Sequence, residues 1–265
     1  MKAPRFILLI IRLLLALAFA APALAQAPKE SAPAAYEPST GQPGKDVVWV
    51  PTPQALVDRM LDMAKLKPRD FVMDLGSGDG RTVIAAAKRG ARALGVEYNP
   101  DMVELSRRNA EKEGVSPKAK FVKADLFRTD FSKATVITMF LLPDINMKLR
   151  PKLLELRPGT RIVSNSFTMG DWEPDDTQTV KPEEGCDASW CTAHLWIVPA
   201  QVAGSYSLPQ GELVLKQKFQ VLSGTLETGG KTYVLAGKVR GSTVSFSAGG
   251  KNYSGRMKNG KLELG

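Results

Sequence analysis

The stretch Val72-Met-Asp-Leu-Gly-Ser-Gly-Asp-Gly-Arg81 decides the fold of this chain. A short apolar run ends in a carboxylate, three glycines follow at alternate positions, and residues 82–88 form an amphipathic run. This order predicts a strand, a glycine loop and a helix. Glycine has no Cβ and tolerates a positive φ, so the backbone of such a loop can approach a bound nucleoside closely. The helix start adds free N–H groups and the positive end of a dipole.

The glycine spacing separates two classes of cofactor. The dinucleotide fingerprint is G-x-G-x-x-G, and its third glycine keeps the helix close to the strand. Arg81 occupies that position here, which disfavours a nicotinamide oxidoreductase. The spacing is instead G-x-G-x-G, with Asp74 two places before the first glycine. This arrangement resembles motif I of the class I methyltransferases that use S-adenosylmethionine.

Further strand-like runs follow at a regular rhythm, over residues 92–97, 121–126, 134–142 and 160–167, with a helical pattern over residues 101–112. Alternating strands and helices predict an α/β fold with a parallel sheet and helices on both faces. The methyltransferase resemblance implies a Rossmann-like, doubly wound, mostly parallel sheet of seven strands. Ligands in such sheets lie beyond the carboxyl ends of the strands. Four residues are expected at such ends: Asp74, Glu97, Asp125 and Pro143.

The acids at these ends predict contacts with a nucleoside. Glu97 lies about twenty residues after the loop, where α/β folds place an acid that binds ribose hydroxyls. In the methyltransferase family, an acid at the position of Asp125 takes the exocyclic amine of adenine. Each acid alone has a simpler interpretation: Glu97 as a solvated surface carboxylate and Asp125 as a helix N-cap. Their joint placement at consecutive strand ends favours the cofactor site.

A closer resemblance rests on three segments: Val48-Trp-Val-Pro-Thr-Pro53, Asp74-Leu-Gly-Ser-Gly-Asp-Gly-Arg81 and Gly95-Val-Glu-Tyr-Asn-Pro100. Together they are similar to the seven-strand methyltransferases related to the mitochondrial lysine methyltransferases, which act on the ATP/ADP carrier and the ATP synthase c-subunit. The resemblance covers roughly residues 47–172. It implies S-adenosylmethionine as cofactor and a protein lysine as acceptor. The residues expected to bind the cofactor are Pro51, Thr52, Asp74, Gly76, Ser77, Gly78, Gly80, Glu97, Asp125, Leu126 and Leu141.

The expected reaction is direct displacement, in which the protein mainly aligns the acceptor with an already activated methyl group. A lysine acceptor must first lose its proton, and an apolar pocket promotes that loss. Trp49 and the segment Phe140-Leu-Leu-Pro143 are expected to form this pocket, and Trp49 offers a ring face to a cation. The residues predicted to act in catalysis are Trp49, Pro143 and Asp144. Asp144 has an alternative as the N-cap of a helix from Ile145, which we favour.

The two ends of the chain predict export and a second module. A basic start, a short apolar core and Ala23-Leu-Ala25 are typical of a cleaved signal peptide over residues 1–25. This implies a periplasmic or secreted protein, with association with the envelope as an alternative, and no stable transmembrane segment after processing. Residues 26–45 are rich in Pro, Ala, Gly and Ser and predict a disordered linker. The methyltransferase domain is expected over residues 46–200. Residues 201–265 contain short alternating runs separated by Gly-Gly and Asn-Gly turns, which predict a small antiparallel β-meander with an accessory role.

Charge and cysteine content narrow the function further. The formal net charge is +9, but the basic residues are spread along the chain, so we predict no nucleic-acid partner. The two cysteines, Cys186 and Cys191, are close together and predict a disulfide in an exported chain. They and His194 do not make a tetrahedral set, so no metal is expected. His194 lies in an apolar run and is predicted to occupy a strand.

Two other functions stay open at the level of sequence. One is a non-catalytic periplasmic module that binds a nucleoside, since export separates the protein from the cytosolic cofactor pool. The other is a methyltransferase for a small molecule. A nucleobase amine is a less favoured acceptor, because such enzymes usually carry a Pro-Pro-aromatic signature after the fourth strand, where this chain has Leu141-Leu-Pro-Asp144.

Overall fold

The structure is a computed structural model, and it describes residues 36–209 and 211–264. The predicted signal peptide, residues 1–25, and the predicted linker up to residue 35 lie outside the described residues. Within the described residues, no helix is both long and apolar enough to cross a membrane.

Seven strands form the first sheet, in the spatial order β3-β2-β1-β4-β5-β7-β6. They are Phe71–Leu75 (β1), Arg92–Glu97 (β2), Ala119–Lys123 (β3), Val136–Met139 (β4), Arg161–Asn165 (β5), Asp176–Thr179 (β6) and Thr192–Ile197 (β7). Strands β1 to β5 pair in parallel. Strand β7 lies antiparallel between β5 and β6. The expected parallel-rich sheet of seven strands is therefore present.

Helices cover both faces of this sheet. They are Gln54–Met63 (α1), Arg81–Lys88 (α2), Pro100–Lys112 (α3) and Pro143–Leu154 (α4). Successive side chains of a strand point to opposite faces, and neighbouring residues of β1 accordingly belong to different cores. Val72 packs in the cluster that contains residues of α1, α2 and α3, whereas Met73 packs in the cluster that contains residues of α4.

The antiparallel strand β7 changes which loop reaches the carboxyl edge of the sheet. In the register of β5 and β7, Asn165 at the end of β5 pairs with Ala193 near the start of β7. The loop that enters β7 therefore lies at the same edge as the glycine loop after β1. The predicted disulfide Cys186–Cys191 is present in this loop, and His194 occupies β7 as predicted.

A buried ion pair ties the opposite edge of the sheet together. Asp70, just before β1, is 6% exposed and pairs with Arg161 of β5 over 2.5 Å. The backbone N–H of Lys67 and the hydroxyl of Thr135 also donate to this carboxylate. Although burial opposes ionisation, these contacts hold the pKa of Asp70 below its ordinary value. The ion pair therefore fixes β1 against β5 at the edge remote from the glycine loop.

Several predicted boundaries differ from the structure. Strand β3 ends at Lys123, so Asp125 follows it instead of ending it. Helix α4 begins at Pro143 with Leu142 as N-cap, so the preferred interpretation of Asp144 as the cap is wrong. Proline is well suited to the first helical position, where its missing N–H costs nothing. Residues 36–45, predicted as linker, instead contain a turn and a backbone bridge between Pro43 and Val48.

The second sheet is an antiparallel meander with the order β14-β13-β12-β11-β10-β9-β8. Its strands are Gly204–Leu208 (β8), Gly211–Lys218 (β9), Val221–Thr228 (β10), Lys231–Arg240 (β11), Thr243–Ala248 (β12), Lys251–Lys258 (β13) and Lys261–Leu264 (β14). The meander has seven strands, and in β8 Tyr206 and Leu208 alternate with serines and pack against the core of this sheet. It contacts the segment between β5 and β6 through stacking of Trp172 on Phe219, with ring centroids 5.9 Å apart, and through donation from Gln220 Nε2 to the carbonyl of Glu173.

Candidate functional site

A cavity of about 610 Å³ opens at the carboxyl edge of the first sheet. Its size is within the usual range for small-molecule and cofactor sites. Most of the predicted site residues line it: Trp49, Pro51, Thr52, Asp74, Gly76, Ser77, Gly78, Glu97, Asp125, Leu126 and Leu141. Gly80, Pro143 and Asp144 are not part of the lining. The convergence of three separate strand ends on one cavity is the arrangement that the sequence predicted.

The glycine loop follows β1 and forms one wall of the cavity. Gly76, Gly78 and Gly80 have φ of 75°, 52° and 84°, in the left-handed region that favours glycine. Their surroundings differ, however. A Cβ at Gly78 would lie 2.7 Å from Nε1 of Trp49, whereas one at Gly80 would meet Phe121 and Ser106. Gly78 therefore permits a close approach inside the cavity, and Gly80 permits the packing of α2 against its neighbours.

Arg81, which distinguishes this loop from the dinucleotide fingerprint, holds two walls of the cavity together. Its guanidinium donates to the carboxylate of Asp79 in the loop, with Nη2 2.6 Å from Oδ2. It also donates from Nη1 to the backbone carbonyl of Thr52 over 2.9 Å. Thr52 in turn accepts a hydrogen bond at Oγ1 from Nδ2 of Asn165 at the end of β5. The ends of β1 and β5 are thus linked through one threonine.

The three acids of the cavity that the sequence predicted have different environments. Asp74 is buried, and this burial raises its pKa to about 7, although Thr138 Oγ1 donates to its carboxylate over 2.6 Å. Glu97 accepts hydrogen bonds from the backbone N–H groups of Gly78, Tyr98 and Asn99 at 2.9 to 3.0 Å. A carboxylate has about four acceptor positions, so Glu97 retains capacity for a ligand. It also fixes the glycine loop against β2.

Asp125 is already paired in the structure. Its Oδ2 accepts from Lys45 Nζ over 2.8 Å, and its Oδ1 accepts from the backbone N–H of Phe127. These hydrogen bonds, led by that from Lys45, hold the pKa of Asp125 below its ordinary value. The Lys45 ammonium also lies 4.7 Å from the ring centroid of Tyr98. A ligand amine at Asp125 would therefore share this carboxylate with Lys45.

Residues 42–52 form the wall opposite the glycine loop. Backbone hydrogen bonds from Gly41 N to Trp49 O and from Trp49 N to Gln42 O, at 2.8 and 2.9 Å, fold this segment back on itself. The fold-back carries Lys45 to Asp125 at one end and Trp49 to Gly78 at the other. The position of Trp49 fits its predicted place in the site, and its predicted catalytic role stays a prediction.

The far end of the cavity is apolar and aromatic. Phe140 is 6.1 Å from Phe167 and 6.4 Å from Trp190, measured between ring centroids. The neighbouring lining residues are Leu141, Leu142 and Ile145. Sequence reasoning identified Phe140 but missed Phe167 and Trp190. Phe167 follows β5 by two residues, a position that the rule on strand ends could have indicated, whereas Trp190 reaches the cavity only because β7 is antiparallel.

The remaining candidates for chemistry lie elsewhere. His194 Nδ1 is 2.9 Å from Thr177 Oγ1 on the neighbouring strand, outside the cavity lining. Among the described residues, no group of three or more His, Cys, Asp or Glu side chains is arranged to bind a metal ion. Asp144 is exposed in the first turn of α4. Asp144 and Pro143 therefore do not meet Trp49, the third predicted catalytic residue, inside the cavity.

Comparison with known proteins identifies similar chains. A model of the ANTKMT methyltransferase domain matches residues 74–176. A protein-lysine N-methyltransferase of Saccharolobus islandicus is 47% identical over 142 residues, which cover 52% of this chain and 87% of that protein. A lysine N-methyltransferase of Rattus norvegicus, named for the c-subunit of ATP synthase, is 38% identical over 143 residues, which cover 54% of this chain and 64% of that protein.

A solved structure is similar over a comparable share of the chain. The RNA methyltransferase of Salinibacter ruber, in complex with S-adenosyl-L-homocysteine, is 47% identical and has a TM-score of 0.52. The match covers 58% of this chain and 96% of that protein. The archaeal and bacterial relatives are thus matched over most of their length, whereas the chain spans less than two thirds of the rat relative.

Proposed function

Because this chain belongs to the ANTKMT methyltransferase family, a family that uses S-adenosylmethionine, we propose that it methylates the side-chain amine of a protein lysine. The relatives from S. islandicus and rat are named for this acceptor. The S. ruber relative is named for RNA. These names differ in acceptor, so the support for lysine comes from the cavity of this chain.

The cavity fits the cofactor at its polar end. A side chain at position 78 would displace Trp49, so the glycine there lets the indole pack directly on the loop and close this wall of the cavity. We assign ribose binding to Glu97, adenine binding to Asp125 and Leu126, and the methionine part to Pro51, Thr52 and the loop after Asp74. When bound, S-adenosylmethionine supplies a methyl group activated by the adjacent sulfonium.

The observation that carries the proposal is the contrast between the two ends of this cavity. Carboxylates occupy one end, whereas the other end is lined by Phe140, Phe167 and Trp190. Apolar surroundings disfavour the charged form of an amine, so they lower the pKa of a lysine that enters them. An ordinary lysine titrates near ~10.4, and the neutral form is the one that can attack a methyl group.

Proton removal is assigned to the environment and not to a fixed base. Asp144, the predicted candidate for this step, is exposed and outside the cavity lining. We therefore propose that the acceptor amine loses its proton to solvent as it enters the aromatic end. Trp49 and the neighbouring rings then hold the neutral amine in line with the methyl group, which is the main requirement of such a displacement.

The test is transfer of labelled methyl groups from S-adenosylmethionine by the chain that begins after residue 25. Envelope proteins, total RNA and small-molecule extracts serve as separate acceptor pools. Glu97→Ala is the matched inactive control, because it removes the carboxylate that accepts a hydrogen bond from the glycine loop and, in this proposal, binds the cofactor. Label on lysine, located by mass spectrometry, supports the proposal. Label confined to RNA or to a small molecule contradicts the acceptor assignment, and no label above the control favours the nucleoside-binding module.

We also propose that the chain is exported to the periplasm or secreted. The basic start and apolar core of residues 1–25 support this, as does the bridge between Cys186 and Cys191, since disulfides persist in oxidising compartments. Fractionation of cells that express the full chain tests the location. Recovery in the cytoplasmic fraction with the N-terminus uncleaved contradicts export.

A further inference from the structure

The loop that enters β7 combines a disulfide with an aromatic residue of the cavity. Trp190 immediately precedes Cys191, and the bridge to Cys186 closes a loop of only four intervening residues. Both cysteines are buried, at 2% and 7% exposure, in the core that also contains α1. The backbone N–H of Val180 donates to the carbonyl of Cys191 over 2.9 Å. The base of the loop is therefore fixed, and Trp190 is directly attached to it.

The position of Trp190 depends on this fixed base. Its ring lies 6.4 Å from that of Phe140 at a tilt of 44°, and within the described part of the chain its side chain makes no hydrogen bond. Two neighbours inside the loop, Asp187 and Ser189, are exposed. Covalent closure is thus one restraint, beside the ring contact with Phe140, that keeps the indole at the cavity.

The opposite side of the aromatic end is fixed in a different way. The carbonyl of Phe167 accepts hydrogen bonds from Ser164 Oγ, at 2.7 Å, and from Asn146 Nδ2, at 3.3 Å. Both donor residues are fully buried. Phe140, between the two other rings, directly follows β4. Three rings from three separate segments are therefore held at one end of the cavity, each by its own restraint.

We propose that Trp190, held by the Cys186–Cys191 bridge, completes with Phe140 and Phe167 a subsite that packs on the neutral acceptor amine before transfer and on the permanently charged trimethylammonium group after the last transfer. Ring faces attract cations, and an alkylated ammonium is weakly hydrated, so it loses little on entering such a site. The inference rests on the proposed function and deepens it. It predicts that acceptor binding depends on the bridge, while cofactor binding at the other end of the cavity does not.

The test separates acceptor binding from cofactor binding. Trp190→Ala is expected to raise the KM for a lysine peptide about tenfold, because the acceptor side chain loses its apolar contact with the indole, and to leave the Kd of S-adenosylhomocysteine within about twofold of wild type. Trp190→Phe is expected to restore most of the affinity. The double variant Cys186→Ala/Cys191→Ala is expected to raise the same KM with the same unchanged Kd. Phe219→Ala, which perturbs the contact with the second sheet outside the cavity lining, is the control for general destabilisation.

A binding measurement distinguishes failure of this inference from failure of the proposed function. Calorimetry with the S-adenosylhomocysteine complex uses Nε-trimethyllysine and its uncharged carbon isostere as probes. Preference for the cation in wild type and its loss in Trp190→Ala support the subsite, even if no lysine is methylated. Lysine methylation with an unchanged KM in Trp190→Ala overturns the subsite and leaves the proposed function intact. Equal binding of the two probes by wild type also overturns it.

Discussion

Replacing Gly78 by alanine tests whether the glycine loop and Trp49 enclose the cofactor. Gly78 has a φ of 52°, and a Cβ there would lie 2.7 Å from Nε1 and 3.0 Å from Cδ1 of Trp49. The left-handed backbone alone costs an alanine about 1–2 kcal/mol. The contact with the indole adds a second effect, because 2.7 Å is shorter than real Cβ contacts, so Trp49 must move out of its place in the wall.

The matched control is Gly114→Ala. Gly114 has a comparable φ of 68°, but a Cβ there would have nothing within 4 Å. Gly114→Ala should therefore lose about 1–2 kcal/mol of unfolding free energy, and Gly78→Ala at least as much, measured by urea denaturation. Only Gly78→Ala should also weaken binding of S-adenosylhomocysteine, by at least about tenfold in Kd, which corresponds to ~1.4 kcal/mol.

Calorimetric titration of both variants gives the decisive comparison. Wild-type Kd in Gly78→Ala, together with the expected loss of stability, would refute the conclusion that the contact between the loop and Trp49 shapes the cofactor site. Weakened binding in Gly114→Ala would refute the steric argument instead, since backbone strain alone would then account for the effect.

Three further predictions concern stability. Burial raises the pKa of Asp74 from 3.8 to about 7. Between about pH 4 and pH 7 this carboxyl therefore binds more protons in the folded chain than in the unfolded chain, and its contribution to the unfolding free energy falls as the pH rises through that range. The unfolding free energy of Asp74→Asn, relative to wild type, should therefore increase from about pH 4 to pH 7 in urea titrations, and a constant difference would contradict this. Arg161→Met should cost about 3–5 kcal/mol at pH 7, because it leaves Asp70 buried without its partner, and a loss below ~1 kcal/mol in denaturation would argue against this. Phe219→Ala should cost about 2 kcal/mol by removing the aromatic contact with Trp172, with KM for the acceptor unchanged; an altered KM would show that the second sheet acts on the cavity.

The parts of the fold that follow local rules were predictable from sequence. The glycine loop needs particular residues at particular spacings, and the acids at strand ends follow from the parallel arrangement of β1, β2 and β3. Even here the partners were not predictable. The sequence indicates that Asp125 lies at the cavity, but not that Lys45, 80 residues away, pairs with it. That contact depends on how residues 42–52 fold back over the sheet.

The aromatic end shows the limit of such reasoning more clearly. Phe140 lies in a segment that the family resemblance covers, whereas Trp190 lies beyond it, between two short strands of mixed character. The position of Trp190 depends on the pairing of β7 with both β5 and β6, which is determined by long-range packing and not by the local sequence pattern. The assignment of Asp144 as an N-cap failed for a local reason, since Pro143 is itself well suited to begin α4.

Strand β7 also has a consequence for how this protein can diversify. Its reversed direction brings the loop between β6 and β7 to the edge where chemistry takes place, although the loop follows every segment assigned to the cofactor. The proposed subsite therefore predicts that substitutions in that loop alter the choice of acceptor and leave cofactor binding unchanged. The Cys186–Cys191 bridge fixes the backbone at the base of this loop, so we expect side chains in the loop to be replaceable without unfolding it.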